Sequence, residues 1–222
     1  MSGSTILTTL GAVDNFDEKT KYLRAALVSE TCVNIIAGLT YFYFLKYLYE
    51  DNIKLEDITP VRYLDWLVTT PFLIYSFALY TTYENNKHNG TDDKVDYIPL
   101  TYLLLLNTSM LAFGFFGETG RMNKHLGYAI GMISFIILFY LIYVKYVDNN
   151  GDPVNSVVIT YSIFTAIWLL YGFSYYLGTV NKNLAYNILD MISKSAFGIF
   201  LWISVLEDSD TRYVQITKEQ NA

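Results

Sequence analysis

Cysteine is nearly absent: Cys32 is the one cysteine in 222 residues. No internal disulfide can form within the chain, and no zinc site can be built on cysteines. Free cysteine is among the most buried residue types, so Cys32, set in an apolar run, reads as packing. Charge is sparse too, at 16% of residues against 53% hydrophobic and 17% aromatic. The formal net charge is -6 and no basic patch stands out, which argues against a nucleic-acid partner. Two histidines, His88 in a loop and His125 at the end of an apolar run, have no other ligand types near them in sequence, so no metal centre is expected. A glycine-rich phosphate loop and a nucleophile triad are also missing, and nothing marks the chain as an enzyme. The basic start and apolar stretch of a cleavable signal peptide are not seen. Period-two alternation is missing as well, which argues against membrane barrel strands.

What the chain does have is long apolar runs. Six stretches reach the roughly 20 mostly apolar residues that cross a bilayer as a helix. They are Arg24–Leu48, Arg62–Tyr83, Tyr97–Gly117, His125–Val147, Pro153–Gly178 and Leu184–Leu206. Helices are expected, because a lone helix satisfies its own backbone in lipid. The connections between them are short and polar: Glu50–Thr59, Glu84–Asp96, Glu118–Lys124, Asp148–Asp152 and Thr179–Asn183. Glu84–Asp96, with Asn89-Gly90, is the longest and is expected to move most. The fold class is therefore an all-α multi-pass membrane bundle with lipid as its surroundings. Its expected divisions are residues 1–21 as a short interfacial helix or tail, 22–206 as the bundle and 207–222 as a cytoplasmic tail. Ile6–Val13 is apolar but too short to span. Lysine and arginine are more frequent on the side of the chain ends, so six spans would leave both termini in the cytoplasm.

Ionisable residues inside apolar spans are costly and point to function. The spans hold Glu30, Arg62, Asp65, Asp190 and Lys194. Asp190 and Lys194 are four apart, hence one helical turn apart on one face. Two readings suit that pair. One is a structural ion pair, because buried charges must pair to survive. The other is a desolvated lysine amine that condenses with an aldehyde, the protonated product then needing counterions. Asp190 is placed to be one counterion, and Asp65 another. In the second span Arg62, Asp65, Thr69 and Ser76 recur at intervals of three, four and seven, giving one polar stripe. Asp65 can accept a proton there, Thr69 can hydrogen-bond it, and Arg62 can hold it ionised. Pro71 breaks one backbone hydrogen bond in mid-span.

These residues resemble the microbial rhodopsins. Arg62-Tyr63, Asp65-Trp66-Leu67 and Thr69-Thr70-Pro71 are similar to the third helix of bacteriorhodopsin, and Leu189 to Lys194 resembles the seventh-helix segment bearing the retinal lysine. The resemblance covers about residues 22–206. It implies all-trans retinal on Lys194 as a protonated Schiff base, Asp65 as proton acceptor, Asp190 as second counterion and Arg62 on the exit side. The implied ring pocket contains Trp66, Thr70, Met110, Gly114, Phe135 and Trp168, and Asn107 to Gly114 fits the family's fourth-helix pattern. The usual sixth-helix tryptophan and tyrosine would be Tyr161 and Phe164, with Thr165 in place of proline. The six spans match helices two to seven, with helix one reduced to a short segment at Thr5–Asn15, lying flat or disordered.

Two family features are missing. Ser76 occupies the place of the usual proton-donor carboxylate, and Thr179–Asn183 lacks the exit-side glutamates. Glu30 offers a compensation. It lies about 9 Å deeper than Arg24 at 1.5 Å per residue, near the level of Ser76. Arg24 and Glu30 together resemble the rhodopsins of large DNA viruses that infect algae and protists. In one group of those the glutamate is the donor, and the arginine lines the mouth of a pentamer. This implies a homo-oligomer, a pentamer with Arg24 at its cytoplasmic mouth. The expected function is light-driven outward proton transport. A light-gated ion channel is the alternative, favoured by Ser76 and by polar Asn34, Asn107 and Asn187 in the spans. A photosensor is a third reading, and a small transporter with a Lys–Asp pair a fourth.

Overall fold

The computed structural model describes residues 2–13, 20–48 and 54–207, and among them there are helices and turns and no strand. Seven main helices occur: α1 Ser2–Val13, α2 Lys21–Leu48, α3 Thr59–Asn89, α4 Tyr97–Glu118, α5 Lys124–Ile142, α6 Asn155–Ser174 and α7. Helix α7 starts as Thr179–Asp190, passes through a π-helical stretch at Met191–Ala196 and continues to Glu207. The expected tail beyond 207 lies outside the described residues.

Helix ends follow local chemistry. Asp96 caps α4 by accepting from the Ile98 amide at 3.0 Å. Asn123 does the same for α5, accepting from His125 and Leu126. Gly90 ends α3 at φ 68°, a left-handed conformation that a side chain disfavours. Helix α3 thus runs past its expected end at Tyr83, and the connection shrinks to Gly90–Asp96. That segment is pinned, with Asn86 donating to the Asp93 carbonyl at 2.9 Å and Lys21 pairing with Asp92 at 3.1 Å. Likewise Thr179–Asn183, expected as a connection, is the first turn of α7.

Among the described residues five helices, rather than the expected six, are long and apolar enough to cross a membrane: α2, α4, α5, α6 and α7. The sixth expected span lies in α3, which is 31 residues long, or about 46 Å. Its composition is divided by face. Arg62, Asp65, Thr69 and Ser76 are buried inside the bundle, while Leu64, Leu67 and Val68 are 61%, 43% and 40% exposed. Averaging the two faces lowers its apparent hydrophobicity, although the outward face is as apolar as that of its neighbours. The exposed residues of the other helices are equally apolar, among them Ile98, Leu105, Ile133, Ile136 and Ile159. A belt of this kind suits lipid.

Helix α1 packs antiparallel along α2. Ser4 donates to Asn34 at 2.7 Å, Thr31 donates to Thr8 at 2.9 Å, and a Cβ on Gly11 would meet Leu27 at 2.9 Å. At 12 residues it is about 18 Å long, roughly half a bilayer core. It docks into the bundle instead of lying flat. Ser4 sits at mid-bundle, so the first described residues are not at the end where α2 begins and α7 finishes.

Candidate functional site

The π-helical stretch of α7 carries Lys194, whose side chain is 1% exposed. Its Nζ contacts Asp65 Oδ2 of α3 directly and lies 3.7 Å from Asp190 Oδ1, one turn back. Lys194, Arg62, Asp65 and Asp190 carry two charges of each sign. Their buried site is therefore balanced, as burial of charge requires.

The two carboxylates have different surroundings. Asp65 Oδ1 accepts from the Thr40 hydroxyl of α2 at 3.2 Å. Thr69 was expected on this carboxylate, but its hydroxyl donates to the Asp65 backbone carbonyl at 2.8 Å. Asp190 accepts from Trp66 Nε1 at 2.9 Å, and from the hydroxyls of Tyr171 and Tyr41 at 2.8 Å each. Arg62 Nη1 is 3.5 Å from Asp190 Oδ2. Arg62 thus pairs with Asp190, where the sequence suggested Asp65. Its other donors reach Asn187 at 2.7 Å and Asn183 at 3.3 Å, and its guanidinium lies 5.1 Å from the Phe44 ring.

From Lys194 a cavity runs between α3, α4, α5, α6 and α7, enclosing about 790 Å³ of space, part of it open outward. Trp66, Thr70, Met110, Gly114, Phe135 and Trp168 line it, as expected. Glycine keeps it open: a Cβ on Gly114 would stand 3.1 Å from the Tyr63 hydroxyl, and one on Gly172 3.1 Å from Met132 Sδ.

Tyr161 and Phe164 do not line this cavity. Phe164 stacks on Phe77 at 5.1 Å, and the Tyr161 hydroxyl donates to the Phe139 carbonyl at 3.0 Å. On α6 the lining residues are Trp168, Tyr171 and Gly172, followed by Tyr175 at its C-cap. The expected tryptophan, tyrosine and proline places thus fall on Trp168, Tyr171 and Gly172, and not on Tyr161, Phe164 and Thr165. The slip from 161 to 168 is two turns at about 3.6 residues each, so both registers present the same face. Periodicity could not separate them.

Glu30 and Ser76 lie on the other side of Lys194 from Arg62. Glu30 is fully buried, and neither of its carboxyl oxygens has a hydrogen-bond partner. The Ser76 hydroxyl, beside it, donates to the Ala26 carbonyl at 3.4 Å. Gly198, one turn past Lys194, lets α1 and α2 approach α7 closely: a Cβ there would lie 3.0 Å from Thr8 Cγ2 and 3.3 Å from Asn34 Nδ2. The sequence reading missed Thr40, Tyr41, Tyr171, Asn183 and Asn187 as partners of the charged groups. They are ordinary polar residues whose role exists only once α2, α3, α6 and α7 pack together.

Such a bundle defines a membrane protein that holds a small apolar cofactor against a buried lysine. The family described as bacteriorhodopsin-like protein matches residues 1–207, and the chain belongs to it. It is 27% identical over 199 residues to the green-light absorbing proteorhodopsin of Gamma-proteobacterium EBAC31A08, covering 82% of this chain and 76% of that one. Among solved structures, viral rhodopsin OLPVRII superposes with a TM-score of 0.81 at 27% identity, over 93% of this chain and 92% of that one. The blue light-absorbing proteorhodopsin from Med12 shares the fold, with a TM-score of 0.70 at 24% identity over 94% and 92%.

Members of this family bind retinal as a Schiff base on a lysine. The residues present fit that group. The cavity reaches Lys194 and is lined mostly by apolar and aromatic side chains, with Thr70, Asp190 and Ser193 among its few polar groups, the lining that a small apolar ligand requires. The Lys194 nitrogen described above is the free amine and stands in for the Schiff-base nitrogen.

Proposed function

We propose that the protein moves protons outward across a membrane in response to light. The observation that carries this reading is the placement of ionisable groups on both sides of Lys194. Asp65 and Asp190 face it from one side, and the buried carboxyl of Glu30 stands on the other. Retinal, when bound on Lys194, supplies light absorption and a change of shape next to that nitrogen.

The chain's residues then set the direction. Asp65 is in contact with the Lys194 nitrogen and has a single neutral donor, Thr40, on its carboxylate among the described residues. Asp190 has three neutral donors and Arg62 around it. Neutralising Asp190 would leave the Arg62 cation buried without its partner, which costs several kcal/mol. Asp65 is therefore the proton acceptor, and Asp190 stays ionised as the second counterion. Glu30 returns a proton to the Lys194 nitrogen. An ionised carboxylate at Glu30 would be fully buried with the Ser76 hydroxyl beside it and no well-formed hydrogen bond, whereas the neutral acid avoids that cost and has a proton to give. Thr69 and Ser76 serve the path by satisfying backbone carbonyls of α3 and α2, without holding the proton.

In this reading the bundle of residues 22–206 carries the function. Residues 1–21 form its short N-terminal segment and 207–222 a cytoplasmic tail. The side holding Glu30 faces the cytoplasm, following the lysine and arginine bias. A homo-oligomer, a pentamer with Arg24 at its cytoplasmic mouth, completes the proposal; the mass of the detergent-solubilised particle tests it. The proton mechanism is tested by light-evoked current in voltage-clamped cells supplied with retinal. A pump gives outward current at zero driving force, without reversal near physiological voltage. A current that reverses at the potential set by an imposed gradient would overturn the reading in favour of a channel. Lys194→Ala is expected to abolish the visible band, and a retained band would overturn the attachment site.

A further inference from the structure

One buried ion pair is not used by this scheme. Glu118 is the last residue of α4 and Lys182 lies in the first turn of α7; their side chains are 4% and 13% exposed. Lys182 Nζ is 2.6 Å from Glu118 Oε1. The Tyr63 hydroxyl of α3 donates to Oε2 at 3.0 Å, and that of Thr59 donates to Oε1 at 3.4 Å. One carboxylate thus gathers three helices at the end of the bundle away from Glu30. Burying such a pair costs desolvation that its attraction barely repays, so stability alone does not explain it.

Its position relates it to the site. Lys182 precedes Asn183, which accepts from Arg62 at 3.3 Å, and Tyr63 follows Arg62 on α3. Tyr63, Tyr171, Tyr175 and Tyr186 line the same cavity as Asp190 and Lys194. Tyr171 donates to Asp190 and its ring stacks on Tyr186 at 5.9 Å. Glu118 in turn acts electrostatically on Tyr63, Tyr175 and Tyr186. The rings of Tyr63, Trp66, Tyr186 and Tyr171 are in contact in that order, so one aromatic wall joins Glu118, at the Tyr63 hydroxyl, to Asp190, at the Tyr171 hydroxyl.

We propose that Glu118 is the exit-side proton carrier. This rests on the pump reading and deepens it. Lys182, 13% exposed, can keep its charge in water when its partner is neutralised, which Arg62, 2% exposed beside Asp190, cannot do, and at rest that ammonium is paired with Glu118. So paired, Glu118 holds no proton to give early. After Asp65 has been loaded, the Asp65 O–H bond breaks and a Glu118 O–H bond forms, the proton passing through hydroxyls and water between them. Loss of that proton to external water restores the Lys182 pair. Release accordingly follows the loading of Asp65 and does not accompany it.

The test is time-resolved infrared difference spectroscopy on the retinal-reconstituted full chain, with a pH-indicator dye recording release in parallel. In the wild-type protein a transient carboxylic-acid carbonyl band should rise as the Asp65 band decays. Glu118→Gln should remove that band and slow release by about a hundredfold, the low end of what a positioned acid–base group contributes. Glu118→Asp should restore a shifted band and part of the rate. Proton release simultaneous with Asp65 loading would overturn the proposal. So would wild-type release kinetics with an unchanged carbonyl band in Glu118→Gln. A wild-type protein that pumps no protons would instead overturn the pump reading, an outcome visible before any variant is made.

Discussion

Replacing Glu30 by leucine should make the protein more stable and slower at once. Glu30 is fully buried and both its carboxyl oxygens lack hydrogen-bond partners. An unsatisfied buried polar group costs about 1–3 kcal/mol. Leucine approximates the volume without polar atoms, and a hydrophobic swap that conserves volume usually costs under about 1.5 kcal/mol. The difference favours Glu30→Leu by about 1 kcal/mol. For a chain of this size that raises the midpoint of thermal unfolding by about 2–4 °C. The neighbouring Ser76 keeps its bond to Ala26, so no new orphan is made. Glu30→Gln is the control: its amide remains polar and unpartnered, so stability should not rise, while the proton is lost as surely as with leucine. Two measurements decide. Thermal loss of the visible band in detergent gives the midpoint, and flash photolysis at neutral pH gives ground-state recovery. Recovery should slow in both variants, by about 10²-fold or more if Glu30 is a positioned donor. A lowered midpoint in Glu30→Leu would mean that the carboxyl is well solvated in place. Unchanged recovery in both variants would refute its role as donor.

Three further perturbations follow from the geometry. Thr40→Val removes the hydroxyl bonded to the Asp65 carboxylate and should shift the absorption maximum, while Thr69→Val, which loses a bond to backbone, should shift it less; absorption spectra of the two purified variants compare them. Gly127→Ala should destabilise the bundle by about 1–3 kcal/mol, read as earlier thermal loss of the visible band, because its Cβ would stand 2.7 Å from the Phe113 carbonyl and 2.9 Å from Gly117 Cα. Neither atom is the tip of a flexible side chain. Tyr171→Phe should move the absorption maximum by removing a donor from Asp190, whereas Phe164→Leu, outside the cavity, should leave it in place; the reverse pattern would restore the earlier sixth-helix register.

Much of this was legible in the sequence because bilayers constrain it. Long apolar runs separated by short polar connections leave few alternatives to a helical bundle. Four charges in otherwise apolar spans, Arg62, Asp65, Asp190 and Lys194, point to one another because burial forces pairing. The structure brings all four together. Where the sequence reading failed, spacing itself was silent. A slip of seven residues on α6 leaves every side chain on the same face, so Tyr161 and Trp168 compete on equal terms until a neighbouring helix decides between them. Span counting by composition has the opposite weakness. It averages around the helix, and α3, with a polar inside and an apolar outside, falls below the level of its neighbours for the same reason that it carries the site.

Partners of the charged groups are hidden for a third reason. Tyr41 and Asp190 are separated by 149 positions, and Thr40 and Asp65 by 25. No local pattern links them, because the contact depends on how α2 leans on α3 and α7. Helix α1 contributes to that arrangement. Thr8 and Asn34 crowd the position of Gly198, with Glu30 in ordinary contact, where α1, α2 and α7 meet one turn from Lys194. The short first helix therefore packs against the turn that holds the Glu30 side of the lysine. Its hydroxyls at Ser4 and Thr8 continue the polar contacts of Asn34 and Thr31, and Asn34 in turn accepts from Ser195, the residue after Lys194. Helix α1 thus reaches the site through Asn34, without contacting Lys194 itself.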